Sequence, residues 1–325
     1  MNKLFNKKVN FQQLLAPAAL VIIYIFFSLP FISKTFFSFN TLISILESTY
    51  FIGFMAFGVT FVIISGGIDL SIGTNMMMSA LVGGYMINNG IPVWISLITV
   101  VLIATLIGCI NGTLISKLKL PPFIATLGMM LMTQGIGSII TRVQTQKYPS
   151  SFDINGGFKE IFYKTSGGFP SGLIYLLLFL IIALILLSKT RFGNYTYALG
   201  SNEEAMRLSG VNTIFWKTAV YTVCGLFCGL SAIVYASTYT TIIPGTGNGL
   251  ELNAIAAVVI GGTSMSGGSG TITGTLIGAF LMSVLKIGLM SAGLQAHYQT
   301  FFTGLVVILA VLLDIYRNKR AEKAL

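Results

Sequence analysis

The chain has 325 residues, 54% of them hydrophobic and 9% charged, with 19 Lys+Arg against 9 Asp+Glu and a mean hydropathy of +0.86. An ordinary soluble domain carries roughly 25% charged residues, so this chain lacks the polar surface of a cytosolic enzyme and the polarity of a disordered one. At about 20 apolar residues per crossing, the length accommodates roughly eight to ten membrane spans and no large soluble domain.

The start runs from Met1-Asn2-Lys3 through Lys7-Lys8 into an apolar stretch at 14–32. That stretch is too long for a signal-peptide core, and Pro30-Phe31-Ile32-Ser33-Lys34 supplies no small-residue cleavage site. An uncleaved first span is expected. Further apolar runs fall at 41–64, 72–89, 92–116, 122–141, 171–188, 214–239, 252–264, 271–292 and 297–316. With the N-terminus inside and all ten segments crossing, thirteen basic residues face the cytoplasm and five face outward. The positive-inside rule then places both termini in the cytoplasm. The run 252–264 is short, reaching ~20 Å against a ~30 Å hydrocarbon core. It needs help from non-helical chain at 240–251 or 261–270, and irregular backbone at membrane depth is tolerated only in protein or along a wet cavity. The region is therefore a candidate translocation path.

Val62-Ile63-Ile64-Ser65-Gly66-Gly67 and Leu81-Val82-Gly83 align, at an offset of 195, with the stretch around Val258-Val259-Ile260-Gly261-Gly262 and with Leu276-Ile277-Gly278. Two readings stand: an internal repeat of the transporter kind, or chance similarity between glycine-rich hairpins. The fold expected is an all-α polytopic membrane protein of about ten helices, with interrupted spans, a candidate repeat and both termini cytoplasmic. It forms a single transmembrane domain over 1–325, with an outer loop at 143–170 and a cytoplasmic loop at 189–213.

The chain offers little for catalysis. Gly261–Thr271 resembles a phosphate loop but lacks the Gly-Lys-Ser/Thr ending, and no nucleophile–base set is present. No catalytic residue and no metal site are expected. Cys109, Cys224 and Cys228 lie in apolar runs and read as packing residues. Ionisable groups in spans draw functional suspicion. Glu47 and Lys286 both fall near the outer face, where they either pair with one another or snorkel separately. Asp69, in the Gly66–Gly73 turn, is either an N-cap for the following helix or an ion-coupling carboxylate. Gly225-x-x-x-Gly229 and Gly274-x-x-x-Gly278 permit close helix approach. In the cytoplasmic loop, Asn202 suits an N-cap, Glu203 and Glu204 suit a first turn, and Gly210 suits a helix end. A capped surface helix of about seven residues is expected, serving either as a docking element or as a solvated turn.

Four stretches, in order, then resemble the permease subunits of bacterial ABC sugar importers of the ribose/xylose/galactose type: Gly66-Gly67-Ile68-Asp69-Leu70-Ser71-Ile72-Gly73, Leu120-Pro121-Pro122-Phe123-Ile124-Ala125-Thr126-Leu127-Gly128, residues 198–211, and Glu251 to Ser264. The likeness spans residues 40–315. It implies import of ribose or a similar monosaccharide. A separate cytoplasmic ATPase would bind ATP and Mg and no cofactor would sit in this chain. The remaining partners would be a second permease subunit and an extracytoplasmic sugar-binding protein docking near 143–170, with no nucleic acid. It also implies that Gly200, Asn202, Glu203, Glu204, Ala205, Arg207 and Gly210 carry the ATPase contact, where Ser201 and Met206 depart from the usual Gly and Ala. Path candidates are Glu47, Asp69, Asn75, Asn111, Gln134, Glu251, Asn253, Ser264 and Ser266. Nucleosides or branched-chain amino acids remain alternative solutes, and an ion-coupled carrier using Asp69 remains an alternative machine.

Overall fold

The computed structural model describes residues 11–150 and 157–322. The basic residues Lys3, Lys7, Lys8 and Lys323 lie outside them, as does 151–156 of the expected outer loop. The elements are α1 (Phe11–Ser28), α2 (Phe39–Ile64), α3 (Ile72–Asn88), α4 (Val93–Ser116), α5 (Pro122–Ile140), β1 (Gln146–Lys147), α6 (Gly157–Phe162), α7 (Gly172–Lys189), α8 (Arg191–Leu208), α9 (Thr213–Tyr239), β2 (Thr241–Ile242), α10 (Leu250–Ile260), α11 (Ile272–Ser291) and α12 (Ala296–Glu322).

Among the described residues seven helices are long and apolar enough to cross a membrane: α2, α4, α5, α7, α9, α11 and α12. The expected count of ten included three shorter segments. The apolar stretch of α1 counted here is Ala16–Ser28, α3 has 17 residues, and α10 only 11. The 252–264 run was overextended because Gly261 to Ser264 add to its apolar character without being helical. Helix α10 stops at Ile260, and at 1.5 Å per residue it spans only ~16 Å.

The helix ends follow local chemistry. Ser38, Asn212 and Thr271 each accept a backbone N–H from the first turn of the helix they precede, those of Thr41, Phe215 and Gly274. Helix α2 closes through Gly66 (φ +78°), with the Gly67 N–H reaching the Val62 carbonyl, and α10 closes the same way through Gly262 (φ +93°) and Thr263 to Val258. The two turns therefore correspond at an offset of 196, since Ser65 and Gly261 are the C-caps, and the next helices start 200 apart, at Ile72 and Ile272. The 195 register does not run through both hairpins. Its second landmark also differs in role, because Gly83 packs on Val100 and Tyr148 whereas Gly278 packs on Ala257.

Helix α2, buried along most of its length, forms the centre, with α9, α11 and α10 around it. The most extensive helix pair is α4 with α9. Gly108 and Gly225 face one another, Gly112 meets Thr218, and Gly229 meets Val101, where a Cβ would stand 2.7 Å from the Val101 Cα. The Gly225/Gly229 and Gly274/Gly278 spacings thus serve packing within the chain, the latter against Gly261 and Ala257 of α10. Met76, Met77 and Met78 are buried packing residues, as are Cys224 and Cys228.

The bundle has two ends. One carries the short antiparallel β1–β2 pairing, Gln146 opposite Ile242, and may be called the strand end. The other carries α8 and the turns 65–71 and 261–271.

Candidate functional site

The chain between β2 and α10 turns inward from the strand end. Gly247 (φ +110°) lies against the Gly73 carbonyl and Met77, in the first turns of α3. Thirteen residues separate Asn75 from the end of α3 at Asn88, a rise of ~20 Å, so 243–249 reaches well into the bundle without being helical. Its anchors are amides. The Gln134 Nε2 of α5 donates to the Gly245 carbonyl at 2.7 Å, and its Oε1 accepts from the Asn248 Nδ2 at 3.3 Å. Asn253 Nδ2 donates to the Gly249 carbonyl at 3.2 Å. The buried Glu251 folds back so that both carboxylate oxygens accept the Gly249 N–H, at 2.9 and 3.0 Å. Helix α10 thus begins deep inside the bundle, with a carboxylate on its own free N–H groups.

A second group lies where α3 starts. Asp69, 2% exposed, accepts from the Ser71 N–H at 2.9 Å and the Ser71 hydroxyl at 2.6 Å, with the Asn111 Nδ2 at 3.5 Å. Of the two readings open to Asp69, the N-cap of this helix is not what the structure shows. Ser71 holds that position and makes no side-chain cap bond, while Asp69 braces the turn from two residues upstream. Asn111 Nδ2 also donates to the Ser71 Oγ at 2.8 Å, and its Oδ1 is buried without a partner among the described residues. A polar seam continues along α3, with Asn75 donating to the Ala104 carbonyl at 3.1 Å and Thr133 of α5 donating to Thr74 at 2.8 Å.

Glu47 and Lys286 do not pair. Tyr163, just past α6, donates its hydroxyl to the Glu47 carboxylate at 2.7 Å, and the Lys286 ammonium sits 5.3 Å from the centre of the Phe51 ring. One turn separates Glu47 from Phe51, and the two charges find different partners on that face: a hydroxyl for the anion and a ring face for the cation.

At the opposite end, α8 is longer than expected. It covers 18 residues and breaks at Asn202 (φ −162°, ψ 92°) into two helical pieces. Asn202 Oδ1 accepts the Ala205 N–H at 2.8 Å, as an N-cap does, and Gly210 (φ +83°) closes the second piece. Glu203 pairs with Lys217 of α9, and Glu204 with Arg207 at 2.5 Å. That hydrogen bond lowers the Glu204 pKa and raises that of Arg207. Asn202, Glu204, Ala205, Arg207 and Gly210 are exposed. Met206 points the other way and is buried in the core, so its departure from the family's Ala concerns packing and leaves the outer face unchanged.

Gly200 ties this helix to both hairpin turns. A Cβ there would collide with the Ile64 carbonyl and stand 2.5 Å from the Gly268 nitrogen, whose N–H already donates to that carbonyl at 2.8 Å. Gly267 in turn rests on Gly66 and Gly200. Tyr197 adds a bond from its hydroxyl to the Gly270 carbonyl at 2.7 Å.

The predicted path residues thus fall into separate groups. Asp69 and Asn111 meet directly and Asn75 continues their seam. Gln134, Glu251 and Asn253 share the interrupted crossing. Glu47 stands apart at the strand end. Ser264 and Ser266 lie in the α10–α11 turn, where Ser264 and the Met265 N–H approach the buried Asp314 of α12, the latter at 3.0 Å. Sequence reasoning missed Asp314, Asn248 and Tyr163. Asp314 was legible as the one acid inside the 297–316 run. The other two sit in loops, where no periodicity marks them. Among the described residues no group of three or more His, Cys, Asp or Glu could hold a metal ion.

Comparison with known proteins places this architecture. Residues 41–311 match the family described as the branched-chain amino acid transport system / permease component. The ribose import permease protein RbsC of Escherichia coli K12 is 37% identical over 317 residues, covering 95% of each chain. Its namesake in Bacillus subtilis 168 is 38% identical, covering 86% of this chain and 85% of that one. The fructose import permease protein FrcC of Rhizobium meliloti is 33% identical, covering 94% and 87%. With seven apolar helices able to cross a bilayer and a family match over most of its length, the chain belongs to this family of ABC-importer permeases and is an integral protein of the bacterial inner membrane.

Proposed function

We propose that this chain is the membrane subunit through which an ATP-driven importer brings ribose or a similar monosaccharide into the cell. The observation that carries the proposal is the 37% and 38% identity, over 95% and 86% of this chain, to ribose import permeases of Escherichia coli and Bacillus subtilis. In this reading ten segments cross, both termini and α8 face the cytoplasm, and the strand end faces outward. ATP and Mg bind a separate ATPase, which docks on the exposed second piece of α8 through Asn202, Glu203, Glu204, Ala205, Arg207 and Gly210. A second permease subunit completes the channel. A sugar-binding protein delivers the solute at the strand end, where 143–170 contributes to its docking surface.

The mechanism follows from Gly200. Closure of the ATPase pushes on the second piece of α8. Because the Gly200 backbone touches both hairpin turns, that push reaches the ends of α2 and α10 together. Helix α10 is short and anchored by amides, so it can tilt without breaking a long helical ladder. The solute then passes along Gln134, Asn253 and the 243–249 backbone, with Asp69, Asn75, Asn111 and Ser264 shaping the turns beneath. Selectivity resides largely in the binding protein.

The test is reconstitution of the permease with its ATPase and binding protein in proteoliposomes. Deleting 202–210 is expected to abolish sugar-stimulated ATP hydrolysis; unchanged stimulation refutes the docking role. A panel of sugars, nucleosides and branched-chain amino acids identifies the solute. An ion-coupled carrier using Asp69 requires uptake by this chain alone under a proton or sodium gradient, and Asp69 spends its oxygens on Ser71 and Asn111 instead.

A further inference from the structure

The segment 243–249 poses a physical problem. Gly245, Thr246 and Asn248 are exposed on this chain, and Gln134 beside them is half-exposed. Their depth below the strand end places them in the hydrocarbon layer. Lipid cannot satisfy non-helical backbone and side-chain amides there, each unmet group costing several kcal/mol. Open space surrounds the same patch, because a Cβ built on Gly245 or Gly249 meets nothing within 4 Å. In the proposed importer only water or the second permease subunit can meet these groups, and the thiol labelling below separates the two.

Its chemistry is narrow. Gln134, Asn248 and Asn253 each present a donor and an acceptor, and Thr246 adds a hydroxyl. The buried carboxyl group of Glu251 beside them is turned onto the Gly249 N–H. Neutral groups that both donate and accept match hydroxyls, and neither anions nor cations gain a charged partner. We propose that Gln134 and Asn248, bridged to the Gly245 carbonyl, form a transient contact site for a neutral polyhydroxylated solute, exchanging their mutual bond for bonds to solute hydroxyls. This rests on the sugar-import reading and assigns it a site.

The test uses the assembled complex in nanodiscs, with Cys109 replaced by Ser and the buried Cys224 and Cys228 retained. The Thr246→Cys variant, which keeps both Gln134 and Asn248, is expected to react with a membrane-impermeant thiol reagent at a rate near that of exposed Asn89→Cys and at least tenfold above Leu131→Cys. Ribose is expected to slow it at least twofold. Gln134→Leu is expected to lower ribose taken up per ATP hydrolysed at least threefold. Labelling as slow as Leu131→Cys, labelling indifferent to ribose, or an unchanged uptake ratio would each overturn the site while wild-type ribose uptake stands. If the wild-type complex takes up no ribose, the import reading falls and the site with it.

Discussion

Gly200 leaves no room for a methyl group, because the Ile64 carbonyl and the Gly268 N–H occupy the volume a side chain would need. Gly200→Ala must push α8 away from both turns, and overpacking of this kind costs about 1–3 kcal/mol. The expected result is a folded permease with a lowered melting temperature and at least tenfold weaker sugar-stimulated ATPase in the reconstituted complex. Stimulation at the wild-type level would detach this contact from coupling. At the strand end, Glu47 depends on Tyr163 and not on Lys286. Tyr163→Phe should therefore destabilise by about 1.5–3 kcal/mol, the range for a hydrogen bond to a charged acceptor. Glu47→Lys combined with Lys286→Glu should rescue neither single reversal. Denaturant titration in detergent reads both.

Among the elements, the α4–α9 pair has the least slack. Gly108, Gly112, Gly225 and Gly229 bring two backbones together with no side chain between them. Gly225→Val is expected to destabilise by about 1–3 kcal/mol, measured as a shift in the unfolding midpoint, whereas Gly128→Ala inside α5, with open space around it, should raise the midpoint, by the equivalent of about 0.5–1 kcal/mol. The small-residue spacing on α9 was legible in the sequence, and so were the capped turn at Asn202 and the long apolar spans. The helical stretch 191–201 was not. It has no apolar periodicity, and its order comes from distant partners: Tyr197 on Gly270, Tyr195 on Trp216 at 4.7 Å between ring centres, and Gly200 on Ile64. The end of α10 was misread because hydropathy counts Gly261 to Ser264 as span, while the left-handed glycine at 262 stops the helix. The cap reading of Asp69, one of two, fails by two residues, a shift invisible without coordinates. The grouping of Gln134 with Asn248 required the long-range fold, since 114 residues separate them.

For the whole molecule, the short α10 constrains how the protein is made. An 11-residue helix cannot hold itself in a bilayer whose core needs about 20 residues. Its satisfaction comes from α11, whose Gly274 and Gly278 lie directly on Gly261 and Ala257. In the proposed ten-span topology the membrane-insertion machinery must therefore keep α10 until α11 has emerged, and the two are expected to enter lipid as a hairpin. Fused alone behind a soluble domain, residues 243–264 are expected to be extracted from membranes by alkali and residues 243–295 to resist it. A topology reporter fused between the two helices would then record the stalled intermediate and misplace every segment that follows.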